Sequence, residues 1–255
     1  MMFLKRGLKE TLEASKKNKL MLSALFVLQI IFIVVLTYTT MIYSVKIINN
    51  IQEVIGPAQQ VNYGDEQQDI LNQLLPIYQS YAHLKSNLLQ FAGWLAGLVL
   101  IFQGLLWTLS HKILGARKLG KIAVKYLVTA LIGMGLFAFL SSVILNSITI
   151  DNLKTPLIIL GVISLILYFI FLNILAFINT ENWKQFIKKI RMNFKRMPHS
   201  LLTFVINITL VGLFSYLIYL ARNYFLFGSL FTAILFALLV LTRIFWISCL
   251  NEKTK

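Results

Sequence analysis

The chain has 255 residues, of which 58% are hydrophobic and only 13% charged. Soluble domains carry about a quarter charged residues, and here the charges cluster between long apolar runs, which excludes an ordinary water-soluble globule. A net charge of +15 would point to nucleic acid in a soluble protein, but retention of Lys and Arg on the cytoplasmic side of a membrane gives the same excess, so no nucleic-acid partner is expected.

The N-terminal stretch Leu4 to Lys19 is basic, with Leu4, Leu8 and Leu12 set against Lys5, Lys9 and Lys16. The apolar run that follows, about 20–45, exceeds the core of a signal peptide and is followed by no small-x-small cleavage site. It therefore reads as an uncleaved first span. Ile47, Ile51 and Val54 predict that this helix continues past the membrane until Gly56-Pro57 stops it. A second helix is expected to begin at Asp65, with Gln68 completing a capping box. Ile70, Leu74, Ile77, Tyr81, Leu84 and Leu88 lead it into a second span at about 88–110, and Pro76 is expected to kink it. Residues 46–87 thus read as a short two-helix projection on the extracytoplasmic side. Gly93 and Gly97 form a GxxxG pair, with Gly104 beyond it, which predicts close packing against a neighbouring helix.

The segment His111 to Lys125, broken by Gly115 and Gly120, reads mostly as loop before the third span at about 124–146. The fourth, about 156–178, has Pro156 in its first turn, where the missing N–H does no harm. Trp183, Phe186, Ile187, Ile190, Phe194 and Met197 then share one helical face, and Lys184, Lys188, Arg191 and Lys195 line the other. That is the pattern of a helix lying in the interface, aromatic side down and basic side toward lipid headgroups. Thr180 is its expected N-cap, with Glu181 favoured in the first turn. Pro198 separates it from the fifth span, about 201–221, and only Arg222 and Asn223 precede the sixth, about 224–247, which predicts a tight helical hairpin.

Each of these six runs meets the roughly 20 apolar residues needed to cross about 30 Å of hydrocarbon. The expected fold is all-α, a polytopic membrane helical bundle over residues 1–255. Twenty of the 24 Lys and Arg fall on one side if the N-terminus lies inside, leaving Lys46, Lys85, Lys154 and Arg222 outside. A bias of that size places both termini in the cytoplasm, in a multi-pass protein of the cell membrane. Three times a basic segment leads into a pair of spans, a loose internal repeat.

All nine carboxylates, from Glu10 to Glu252, fall outside the predicted hydrocarbon zone. Buried acids normally mark proton relays and intramembrane catalysis, so neither is expected, nor is a carboxylate metal site. His83, His111 and His199 sit at or beyond span ends with no partner at metal-ligand spacing. No Gly-x-Ser-x-Gly elbow is present. The lone Cys249 excludes an internal disulfide and reads as a small buried hydrophobe. No cofactor, metal or catalytic residue is therefore assigned. Gln29, Gln90, Gln103, Asn146, Asn173 and Asn207, inside the spans, read as interhelical hydrogen-bonding groups. Trp94, Trp107, Trp183 and Trp246 are expected in interfacial belts.

A basic amphipathic helix such as Trp183–Lys195 running directly into a long span resembles poorly characterised prokaryotic multi-pass proteins, among them the membrane domain attached to some glycerophosphodiester phosphodiesterases. The resemblance covers the basic segments and their spans, includes no phosphodiesterase domain and implies no catalytic residue. The function expected is non-enzymatic: binding of anionic lipid, a protein partner or a second copy through the basic cytoplasmic helices, with Lys184, Lys188, Arg191 and Lys195 at the headgroups. The alternative is a permease subunit energised by a separate ATPase, since the chain has no GxxxxGK[ST] loop of its own.

Overall fold

The computed structural model describes residues 2–58, 67–145, 154–180, 182–195 and 197–250. Among them every regular element is helical. The chain opens with α1 (Met2–Lys17) and a 40-residue α2 (Lys19–Ala58). Next come α3 (Gln67–Leu98), a π-helical turn (Val99–Gln103) and α4 (Gly104–Ile113). α5 (Leu119–Leu145) and α6 (Lys154–Leu175) follow, then α7 (Trp183–Lys195). A short 3-10 turn, Ala221–Asn223, joins α8 (Met197–Leu220) to α9 (Phe225–Leu250). Six helices are long and apolar enough to cross a membrane.

The outer surface is what identifies the solvent. No more than 22% of any span's apolar window is buried, and residues such as Leu20 and Leu226 are 85% and 80% exposed. A water-soluble fold would not leave so much contiguous apolar surface open; hydrocarbon requires it. The protein is therefore an all-α, polytopic, membrane-embedded chain.

Two compact units are present, residues 1–30 with 102–255, and residues 31–101. In the second, Tyr43 and Phe91 stack with centroids 5.4 Å apart, and the Lys46 ammonium lies 5.2 Å from the Tyr43 ring. α2 runs through Gly56 to Ala58, close to the expected stop. α3 continues unbroken through Pro76, which removes one backbone donor without ending the helix. The proposed cap at Asp65 lies outside the described residues, as do Asn146, Asp151, Glu181, Arg196 and Glu252.

In the first unit the core is aromatic. Phe169, Phe204 and Trp246 pack edge to face with centroids 5.0–6.5 Å apart, and the Trp246 indole N–H donates to the Leu172 carbonyl at 2.9 Å. Trp246 and Trp107 are buried, which corrects their assignment to an interfacial belt; Trp94 and Trp183 are exposed. The α8–α9 hairpin forms as expected, closed by the Tyr224 N–H donating to the Ala221 carbonyl.

Because lipid is as apolar as leucine, helices in a membrane associate where small residues let them approach. On α1 the buried positions are Gly7, Thr11 and Ser15, four residues apart, and not the leucines: Leu8 and Leu12 are about half exposed. A Cβ at Gly7 would collide with Cys249 Sγ of α9, and the Thr11 and Ser248 hydroxyls are 3.4 Å apart. Gly104 likewise faces the Tyr126 ring, which a Cβ would meet at 3.0 Å. Nothing among the described residues lies within 4 Å of a Cβ at Gly93 or Gly97.

Candidate functional site

The three basic segments, far apart in sequence, meet at one end of the first unit. The Asn18 amide, between α1 and α2, donates to the Ile113 carbonyl at the end of α4 (3.1 Å). His111 Nε2 donates to the Leu175 carbonyl at the end of α6 (2.9 Å). Lys125, near the start of α5, donates its ammonium protons to the Thr180 carbonyl and to its hydroxyl, the latter at 3.3 Å. The elements are held together by side chains reaching across helix ends, where backbone carbonyls lack intrahelical partners.

Lys125 is the hinge of this arrangement. It is almost fully enclosed, and its ammonium lies 5.6 Å from the Trp183 ring and 5.3 Å from the Phe186 ring at the start of α7. Two aromatic faces and two oxygens replace the water that the cation has lost. Thr180 was the expected N-cap of α7, but its hydroxyl donates to the Phe177 carbonyl (3.0 Å) while accepting from Lys125, and α7 starts three residues later. The demands of a buried cation outweigh those of a helix end.

α7 is fastened at its other end too. The Asn193 amide donates to Asn173 Oδ1 of α6 at 2.7 Å, and the Asn173 amide donates to the Phe169 carbonyl of its own helix at 2.8 Å. Phe186 turns into the protein, whereas Trp183 and Ile187 remain exposed. Lys184, Lys188 and Arg191 are all exposed, and among the described residues no carboxylate pairs with them. The side chain of Lys195 lies outside the described residues. The ion pairs Arg6–Glu10 (3.2 Å) and Lys9–Glu13 (3.8 Å) are on α1.

Between these elements lies an open cleft of about 250 Å³ that sequence reasoning did not find. It is lined by the basic Arg117, Lys118 and Lys121, the apolar Leu114 and Ile122, and the polar Asn179 and Thr180. The expected long loop is short: α4 ends at Ile113, the chain turns through Gly115 at φ +93°, a conformation natural to glycine, and α5 begins at Leu119. Gly120, expected to break the segment, lies within α5. The sharp turn is what brings Arg117 and Lys121 to the same opening. The legible signal was a glycine directly preceding a dense basic run.

A second polar centre lies inside the spans. Arg243 Nη2 donates to Gln29 Oε1 (3.2 Å) and to Gln103 Oε1 (3.3 Å), with its guanidinium carbon 5.8 Å from the Trp107 ring centroid. Nη1 is buried without a hydrogen-bond partner among the described residues. Arg243, counted with the cytoplasmic cations though within the expected sixth span, takes part in the packing of α9 against α2 and the π-helical turn that carries Gln103.

The remaining candidates are dispersed. His111 is fully buried and His199 exposed. Among the described residues no three His, Cys, Asp or Glu side chains converge on a metal position. Gln90 bonds to Ser86 one turn earlier on its own helix (3.4 Å), and Cys249 is buried against α1. No family model, curated protein or solved structure matches this chain.

Proposed function

We propose that this is a non-enzymatic, multi-pass protein of the cell membrane that binds anionic lipid headgroups at a basic cytoplasmic surface made by the α4–α5 turn and α7. The observation that carries the reading is the meeting of the basic segments at one end, with exposed Lys184, Lys188, Arg191, Arg117 and Lys121 and no described carboxylate paired with them. Cytoplasmic orientation of that end, and of both termini, rests on the bias of Lys and Arg. Each basic residue near an anionic leaflet contributes about 1 kcal/mol, so the cluster supplies enough for selective lipid retention. Exposed Trp183 and Ile187 beside these cations suit an interfacial depth.

A permease subunit served by a separate ATPase would use the same six spans. Pairing among several polar groups inside them favours the lipid reading: Gln29 and Gln103 accept from Arg243, and Asn173 accepts from Asn193, while Asn207 Oδ1 and Arg243 Nη1 are buried without a hydrogen-bond partner among the described residues.

The test uses the full-length protein in nanodiscs of neutral or mixed anionic lipid. A ligand that binds only the folded state raises its stability in proportion to occupancy. The thermal midpoint is expected to rise with anionic lipid, and the triple substitution Lys184→Gln, Lys188→Gln and Arg191→Gln is expected to remove most of that rise. Equal stability in neutral and anionic lipid would sink the reading.

A further inference from the structure

We infer that the cleft beside the α4–α5 turn is a discrete site for a phosphomonoester headgroup, a dianionic phosphate carried on a lipid. The inference rests on the lipid-binding reading above and deepens it, from a charged surface to a shaped pocket.

Three features of the cleft select this chemistry. Its lining brings Arg117, Lys118 and Lys121 to one cleft and adds the amide of Asn179 and the hydroxyl-bearing Thr180. A phosphomonoester presents three acceptor oxygens and a charge of about −1.5 to −2 near neutral pH, whereas a phosphodiester headgroup offers a single charge and two free oxygens. Arg117 adds a planar fork suited to two phosphate oxygens at once. The volume of about 250 Å³ takes a small headgroup and leaves no room for acyl chains.

The wall is also held in place before any ligand arrives. Lys125 grips Thr180 through both its carbonyl and its hydroxyl, and Thr180 in turn donates to the Phe177 carbonyl. Lys125 is thus a positioning residue, enclosed against Thr180, and the exposed Arg117 and Lys121 line the cleft where a headgroup would sit.

The surface below the cleft argues for a lipid source. One and three turns along α5 from Lys121, at the +3 and +11 positions, Val124 and Ile132 are 58% and 67% exposed. A molecule with its phosphate at Lys121 can lay its acyl chains along this apolar strip. A soluble phosphate would gain nothing from it.

The experiment compares full-length protein in nanodiscs containing phosphatidic acid with nanodiscs containing phosphatidylglycerol, adjusted to equal surface charge. Retained lipid is counted by native mass spectrometry. The wild-type chain is expected to retain phosphatidic acid roughly tenfold more strongly, the scale of one added charge-assisted hydrogen bond. In the double variant Arg117→Gln, Lys121→Gln that preference is expected to vanish while the general response to anionic lipid persists. Both side chains are exposed, and an unchanged thermal midpoint in neutral lipid checks that the variant folds. In the α7 triple variant the converse is expected, with preference kept and the general response reduced.

Equal retention of the two lipids by the wild-type chain overturns the phosphomonoester site and leaves the proposed function standing. A preference that survives in the double variant overturns the location. Loss of any response to anionic lipid overturns the proposed function itself. Glycerol 3-phosphate added to the same nanodiscs separates the sources: the lipid site predicts no displacement of phosphatidic acid, and efficient displacement would contradict the lipid assignment.

Discussion

Lys125 and Arg243 show what a cation does when helices enclose it without a carboxylate. Each meets neutral oxygens and aromatic faces: Thr180, Trp183 and Phe186 for the lysine, and Gln29, Gln103 and Trp107 for the arginine, whose Nη1 has no hydrogen-bond partner among the described residues. Hydrogen bonds to charged groups contribute about 1.5–3 kcal/mol. Replacing Lys125 with Met keeps the stem against the aromatic rings and removes the donors, so a loss of about that size is expected in detergent unfolding, with faster proteolysis near Thr180. Arg243→Met leaves the buried Gln29 carbonyl and the half-buried Gln103 carbonyl without their donor, and about 1–3 kcal/mol of destabilisation is expected. Wild-type unfolding midpoints in either variant would show that these bonds carry no weight. Neither role was legible from residue type and position. Both residues were counted only as cations on the cytoplasmic side, because a count of Lys and Arg near span ends does not reveal which way a side chain turns.

At the scale of elements, the packing of α1 on α9 depends on a small face. Gly7, Thr11 and Ser15 lie against the end of α9, and Cys249 Sγ occupies the space a side chain at position 7 would need. Gly7→Val is therefore expected to lift α1 away and to expose Cys249, read as an increase of tenfold or more in the maleimide labelling rate. An unchanged rate would contradict the close approach. The spans were legible because hydrocarbon imposes a length and an all-round apolar composition that few other constraints imitate. Helix contacts were less so. The leucines of α1 drew attention, yet Leu8 and Leu12 are exposed, since in a membrane the apolar residues can face lipid and the small ones face protein. Likewise the Gly93–Gly97 spacing fits a motif, but the rings found against glycines are those of Tyr126 at Gly104 and Phe171 at Gly133. The amphipathic pattern of α7 gave its range and its exposed Lys184, Lys188 and Arg191, but not the clamp that fixes its start, because Thr180 fits a cap on sequence alone.

At the scale of the whole molecule, the account depends on the basic segments sharing one side of the membrane and on that side being the cytoplasm. Their mutual contacts require the former: two spans separate each segment from the next, and Asn18–Ile113 and Lys125–Thr180 tie them at one end. The cleft became visible only through these contacts, since its walls come from residues about sixty positions apart in the chain. The most direct test of the central claim is sided labelling of single cysteines in a Cys249→Ser background with a membrane-impermeant thiol reagent. Arg117→Cys and Lys188→Cys are predicted to label only when the reagent reaches the cytoplasmic face, and Arg222→Cys, in the α8–α9 turn, only from outside. Labelling of Arg117→Cys or Lys188→Cys in intact cells would contradict the account.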